Sequence, residues 1–410
     1  MVLRLSDSPD VVKDSKEADR PVRVGAAPLS VCIYNNFEEL PESYGAIFEE
    51  AGQKSFFLTL PWFRHFAQTA LDTGDEIRIY GIRSAHYDGA PIGLFVARKL
   101  GRKSGVISLR KLAALTNYYS PFFAPHLVST GGSDGEKLQT LARAIADDRP
   151  RWDAIEIKPL DINAPHFSEF VRVFEAERFV VQTFFYAGNW YEPVNGRSFR
   201  EYFEGLRSSV RNIARSKNKK IERSGRVRCE VLRGVEGLES GIAAYNQVYA
   251  SSWKVQEPHA EFVPKLIRTC AEQDTLRLGL AYVDGEPAAA QIWIVHAGIA
   301  SIYKIAYDQK YRDLSVGTYL MTRMMELAID VEKVAEIDYL TGDDRYKKDW
   351  MSQRRERWGI LALNPRTLRG ALAIARHVGG RAAKRTMMAL AARLRRKDSL
   401  ANLTKKVQQG

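Results

Sequence analysis

Residues 307–326 read YDQKYRDLSVGTYLMTRMME. A tyrosine-rich strand runs out near Arg312. A Ser315-Val316-Gly317 turn follows, and then a helix with neither proline nor an acidic residue in its first turn. A helix start leaves backbone N–H groups without intrahelical partners and carries a partial positive charge. Where no side chain caps them, those groups are open to a phosphate. Arg312, Ser315, Val316, Gly317 and Thr318 are therefore candidates for holding one. Serine enters a turn of positive φ less freely than glycine.

Candidate proton-transfer groups lie close by in sequence. In TGDDRYKKDW (341–350) a glycine ends a strand and Asp343 and Asp344 follow. Two readings stand side by side: capping of the next short helix, an ordinary task for Asp, or a catalytic or substrate-facing role. Asp308 and Asp338 are the other acidic candidates. Tyr346 and Lys347 follow on that helix. Lys347 suits a substrate phosphate or a solvated surface, and Trp350 suits core packing. Tyr303 and Tyr307 alternate on one strand face, where each phenol can pack in the core or donate a proton.

Farther upstream, Arg207, Arg211 and Arg215 recur at i, i+4 and i+8 on a helix expected from Ser198 to about Ser224, which places them on one face. Ten basic residues face three acids between Arg200 and Arg228. The stripe is either a solvated face or a clamp for a phosphorylated acceptor, since guanidinium grips phosphate in a bidentate manner. Trp253, in SSWK, is read as core packing or as part of a site.

The surrounding elements alternate between strand and helix from residue 29 onward, with one strand expected near YYSPFFAPHLV (118–128). Two β-hairpins are expected at YDGAPIG (87–93) and VDGEPAA (283–289), because Asp-Gly between apolar runs supplies the positive φ that a tight hairpin needs. The helix before each carries a tryptophan, Trp62 and Trp253. The offsets of 196 and 191 residues point to two modules of one kind in tandem.

Length and charge set the frame. The 410 residues suggest two domains. The net charge is +12, and from Arg366 to Gly410 there are 12 Lys/Arg against the single acid Asp398, a net of +11. The body is nearly neutral. Leu368, Ala371, Leu372, Ala375, Leu390, Ala391 and Leu394 step at three to four residues between the basic positions, a basic amphipathic pattern suited to an anionic membrane surface or a partner. There is no apolar run of spanning length, and residues 1–28 read as a disordered mixed-charge leader. Cys32, Cys229 and Cys270 are far apart and are expected as reduced buried thiols, which points to the cytoplasm. No metal-ligand spacing, P-loop, dinucleotide turn or Gly-x-Ser-x-Gly occurs, so no metal is expected.

The order of helices, hairpin, strand, turn, helix and two strands resembles the acetyltransferase fold of the GNAT superfamily. In that family an Arg/Gln-x-x-Gly-x-Gly/Ala turn holds the pyrophosphate of coenzyme A; here the match is Arg312 to Gly317, with Ser315 in place of the first glycine. The longer stretches SIYKIAYDQKYRDLSVGTYL and IDYLTGDDRYKKDWMSQRRERWGI resemble the BioF2-like, CelD-like acyltransferases of exopolysaccharide, cellulose and holdfast loci. These are similar to the tandem-GNAT Fem peptidoglycan transferases. The resemblance covers roughly 170–365 well and the first half only in order and in phrases such as LTNYYSPFF.

The resemblance implies an α/β fold of mixed sheets, with tandem GNAT-like modules and a C-terminal basic amphipathic helical tail. The modules are expected at 29–190 and 191–365, with the tail at 366–410. It implies acetyl-coenzyme A, or another acyl-coenzyme A, as co-substrate, with the strand residues Lys304, Ile305 and Tyr307 along the pantetheine arm. A carboxylate, Asp343 or Asp344, would serve as base, and Tyr303 or Tyr307 would protonate the thiolate. Trp253, Tyr346, Lys347 and the arginines would meet a phosphorylated or lipid-linked amino-sugar acceptor, with the tail on the inner membrane. Rival readings are a non-catalytic membrane sensor binding a nucleotide such as cyclic di-GMP, and a Fem-like transferase using aminoacyl-tRNA. A nucleic-acid partner ranks below coenzyme A because the coenzyme A turn is recognisable.

Overall fold

The computed structural model describes residues 29–85, 89–101 and 108–376. The leader, most of the first hairpin turn (Tyr87 and Asp88) and the tail beyond 376 lie outside the described residues.

The first half runs β1 (Leu29–Tyr34), α1 (Gly45–Gly52), α2 (Leu60–Thr69), β2 (Glu76–Ser84), β3 (Pro91–Lys99), β4 (Lys111–Ala114), β5 (His126–Leu127), α3 (Asp134–Asp147), β6 (Ala154–Asp161), α4 (Pro165–Ala176) and β7 (Val180–Pro193). The second half runs α5 (Phe199–Gly205), α6 (Ser208–Ser224), β8 (Val227–Leu232), α7 (Leu238–Ala250), α8 (Phe262–Glu272), β9 (Leu276–Val283), β10 (Glu286–His296), β11 (Ile299–Tyr307), α9 (Val316–Glu326), β12 (Glu336–Thr341), α10 (Lys347–Trp350) and β13 (Gln353–Leu363). The halves repeat one plan: helices, an antiparallel hairpin, a further strand, a helix, and a strand parallel to the first one after the hairpin, with the short β5 an addition in the first half. The fold is mixed α/β.

All strands join one 13-stranded sheet in the order β1-β2-β3-β4-β6-β13-β7-β12-β11-β10-β9-β8, with β5 on β3. The parallel pairs are β4 with β6 and β11 with β12. At the centre the halves exchange strands. β13, the last strand of the second half, pairs with β6, while β7, the last of the first half, pairs with β12; β13 and β7 pair with each other. The expected module boundary at 190/191 falls inside β7, a continuous strand. The cores also merge: Trp62 on α2 lies edge-on to Phe262 on α8, and Tyr119 stacks on Phe262 with centroids 3.7 Å apart.

Local chemistry explains several boundaries. The β9–β10 hairpin turns on Asp284 and Gly285, both at positive φ (51° and 89°), as an Asp-Gly pair favours. Three expectations need correction. The helix expected over 198–224 is two helices. A Ser198–Glu201 capping box starts α5, Gly205 ends it, and Leu206 and Arg207 are extended before α6 begins; glycine is a poor helix former. The strand expected over YYSPFFAPHLV shrinks to β5, because Pro121 and Pro125 remove ladder donors. The helix expected to run through Trp253 stops at Ala250, so Trp253 sits in a turn, 49% exposed, whereas Trp62 is 1% exposed. All three cysteines are free, but only Cys270 is fully buried.

Candidate active site

The parallel pairing of β11 with β12 lasts three residues, Ile299 to Ser301 against Glu336 to Asp338. Beyond it the strands diverge, and a bulge leaves Tyr303 unpaired against β10. Residues 302–307 therefore keep one backbone edge free, facing a wedge between the strands. A buried network holds the wedge's base. Asp338 accepts hydrogen bonds from Arg355 (2.5 Å), Asn189 (2.5 Å) and the Leu340 amide (2.6 Å). The expected proton-transfer candidate Asp338 is thus a strand clamp joining β7, β12 and β13.

The helix α9 opens onto this wedge. Ser315 adopts the left-handed conformation (φ 56°, ψ 37°) and provides no side-chain cap. The amides of Thr318 and Tyr319 return to the Ser315 carbonyl, and the Ser315 amide goes to Arg312. Among the described residues, the Val316 and Gly317 amides have no acceptor. The first half shows the contrast. Its corresponding helix, α3, starts with a closed Ser133–Glu136 capping box and two acids in its first turn, which spends the free N–H groups and repels an anion. Only the second half presents an open, acid-free helix start between its parallel strands.

A cleft of about 540 Å³ lies before α9, lined by Trp253, Gln291, Ile305, Tyr307, Arg312, Ser315 to Thr318, Asp344 and Tyr346. The Trp253 ring lies 4.6 Å from that of Tyr307. Gln291 is buried on β10, donates to the Gly317 carbonyl (3.3 Å) and accepts from the Trp293 indole (2.9 Å). Its signal in the sequence was a lone amide in an apolar strand, AAAQIWI. Asp308 caps the turn before α9 through the Lys310 amide (2.9 Å).

A second cavity of about 260 Å³ adjoins it, sharing Ile305, Tyr339, Asp344 and Tyr346. It also contains Tyr303, Lys304, Lys347 and Lys254, and its far wall, Tyr118, Tyr119 and Pro121, comes from the first half. Tyr303 donates to the Tyr119 carbonyl (3.0 Å), and burial raises its pKa well above the usual phenol range. Lys304 turns its side chain to this side and pairs with Glu257 (2.6 Å). Lys347 is buried, not solvated; it donates to the Tyr339 (3.1 Å) and Thr341 (2.5 Å) carbonyls, and burial lowers its pKa.

The two adjacent aspartates part company. Asp343 lies outside both cavities, accepting two 2.8 Å hydrogen bonds from Arg354 and one from the Trp190 indole (3.1 Å). Asp344 lines both cavities and its side chain is 61% exposed. Tyr346 stands beside it; burial first and the Asp344 charge second raise its pKa. The arginine stripe does not reach either cavity. Arg207 pairs with Asp349 (2.9 Å), and Arg211 and Arg215 converge on Glu204. Arg207 lines a third cavity, about 700 Å³, together with Glu192 and its partner Arg197; that cavity shares only Trp350 with the cleft.

Comparison with known proteins bears on the fold that carries this site. Residues 208–348 match the family model for the acetyltransferase (GNAT) domain, a span that contains the open turn, the wedge and Asp344. No curated protein matches the chain. Among solved structures, FemX superposes with a TM-score of 0.53 at 12% identity, covering 78% of this chain and 95% of that one. L-PGS from Bacillus licheniformis reaches 0.48 at 12% identity (84% and 98% covered), and a tandem GNAT protein from the clavulanic acid biosynthesis pathway 0.47 at 11% (82% and 99% covered). At 12% identity the likeness to FemX is one of fold. The chain carries a GNAT-type acyltransferase fold whose open helix start lies in its second half.

Proposed function

We propose that the chain is an N-acyltransferase that moves an acyl group, acetyl in the simplest case, from acyl-coenzyme A to an amino group. The acceptor we infer is an exopolysaccharide precursor such as an amino sugar, on the sequence resemblance given above. The observation that carries the donor assignment is the start of α9: a left-handed Ser315 and two amides without acceptors among the described residues face the cleft beside Arg312, with no acid in the first turn of the helix.

The residues present suit that donor. The Val316 and Gly317 amides and Arg312 would hold its pyrophosphate, and the free edge of residues 304–307 would take the pantetheine amides. When bound, the thioester supplies an activated acyl carbon. The chain positions the amine and moves two protons. Asp344 is the one carboxylate that lines both cavities, so it takes the proton from the acceptor ammonium, directly or through a water. Tyr346, which keeps its proton at neutral pH, offers it to the departing sulfur. The nucleotide-sensor and tRNA readings need free guanidinium groups on α6, and Arg207, Arg211 and Arg215 already have protein partners.

Among the described residues no helix is long and apolar enough to cross a membrane. We infer that the basic tail holds the enzyme on the anionic face of the inner membrane. Calorimetric titration with coenzyme A, followed by thiol release from acetyl-coenzyme A with glucosamine as acceptor, tests the reading. Stoichiometric binding and amine-dependent release are expected. Absence of coenzyme A binding at millimolar concentration overturns it.

A further inference from the structure

The smaller cavity holds a charge that the protein does not neutralise. Three ammonium groups line it, from Lys254, Lys304 and Lys347. Lys304 is paired with Glu257, and Lys347 rests on two carbonyls with Asp344 at 3.9 Å. Lys254 is half-buried and, among the described residues, has no carboxylate partner; its Nζ lies 5.6 Å from the Trp253 ring centroid. Against three ammoniums stand two carboxylates, Glu257 and Asp344, which leaves one positive charge over.

The cavity therefore offers an ammonium without a carboxylate partner among the described residues, and a ligand that answers it brings negatively charged acceptor atoms. At ~30 Å³ per water, the volume of about 260 Å³ leaves room for such a group. Burial and the repulsion of Lys304 and Lys347 lower the Lys254 pKa to about 8, the state of an ammonium that gains when an anion arrives.

We propose that this cavity between the two halves is the acceptor subsite for an oxyanion, a phosphate or a carboxylate, with Lys254 as its principal ligand. This rests on the acyltransfer reading only for the word acceptor. It moves the anion site from the arginine stripe of α6, whose charges are paired, to a lysine whose charge is not. Because the cavity meets the donor cleft at Ile305, Asp344 and Tyr346, an acceptor anchored there by its anion presents its amine beside Asp344. A lysine, as a compact point charge, suits either oxyanion.

The test is calorimetric titration of the full chain at low salt with inorganic phosphate and separately with sodium acetate. Saturating coenzyme A is present, so that the α9 turn does not compete. The wild type is expected to bind one equivalent of phosphate or acetate at millimolar affinity, and the tighter of the two names the oxyanion. Lys254→Met is expected to weaken that binding at least tenfold while coenzyme A affinity stays within twofold. Lys254→Arg, which keeps the charge, is expected to stay within about threefold of wild type. No binding of either probe, or equal binding by Lys254→Met, overturns the proposal. Equal losses in Lys254→Met and Lys254→Arg with an intact circular dichroism spectrum also overturn it, since charge would then not be the cause. If coenzyme A fails to bind but phosphate binds through Lys254, the acyl-donor reading falls and the oxyanion site stands.

Discussion

The carboxylate of Asp343 faces Arg354 at 2.8 Å through both oxygens, while Asp344, one residue later, faces the cavities. Replacement by alanine should separate the two. Asp343→Ala removes an exposed ion pair and should cost roughly 1 kcal/mol after solvent screening, with coenzyme A affinity and turnover near wild type. Asp344→Ala should lower kcat at least tenfold with little change in melting temperature or coenzyme A affinity. Arg354 holds the Asp343 pKa below the usual carboxylate range. Its contribution is thus complete above the unfolded value near ~3.9 and is lost as pH falls through the lower folded value. Thermal melts from pH 7 to pH 2.5 should show the wild type and Asp343→Ala converging at the acid end. Full activity in Asp344→Ala would remove it from the mechanism.

A Cβ on Gly317 would meet Tyr307 Cδ1 at 3.3 Å. A β-branched side chain there must displace the Tyr307 ring or fill the space before the free amides. Gly317→Val should therefore weaken coenzyme A binding at least tenfold in calorimetry while circular dichroism stays unchanged. Unaltered affinity in a folded variant would place the donor elsewhere.

Lys254 should cost the fold stability. With its pKa lowered from 10.5 to about 8, the unfolded chain binds more protons than the native one between those values, so stability rises with pH across that window. Below about pH 8 the full cost is present. Lys254→Met should raise the melting temperature at pH 7, by a free energy on the order of 2 kcal/mol, and the gain should shrink from pH 8 to pH 10.5. A variant less stable than wild type at pH 7 contradicts the unpaired-charge account.

The tail can be removed beyond residue 376. A cut at 366 would strip contacts: Arg366 donates to the Glu177 carbonyl (3.1 Å), and the Thr367 hydroxyl accepts from the Gly370 amide (3.1 Å). Residues 377–410 hold nine Lys/Arg and one acid, a net of +8, leaving the rest at +4. Deleting them should move the protein out of the membrane fraction and abolish flotation with anionic liposomes, while coenzyme A binding persists. Flotation of the full chain should fall with salt, since the attraction is screened over ~10 Å at 0.1 M. Equal flotation of both forms would refute the membrane role.

The sequence alone determined the parts that depend on neighbours along the chain. The turn at Arg312–Thr318 was legible because a helix start is a local event, and Ser315 takes the left-handed conformation there. The second hairpin was legible from Asp284-Gly285 for the same reason, as was the doubling of one α/β plan. Only the tertiary structure decided what those parts face. The strand exchange of β7 and β13 rests on ladders between residues up to 209 apart, such as Leu363 with Ala154, and no local pattern encodes a partner that distant. Asp343 and Asp344 look alike in sequence; one is spent because Arg354 happens to arrive from the next strand. Arg211 and Arg215 kept their helical spacing on α6 while Arg207 fell in the break before it, and the three lost their free charge to Glu204 and Asp349. Lys254 gained its role by the reverse: among the described residues no carboxylate pairs with it, and burial beside Lys304 and Lys347 leaves a positive charge for an anion from outside.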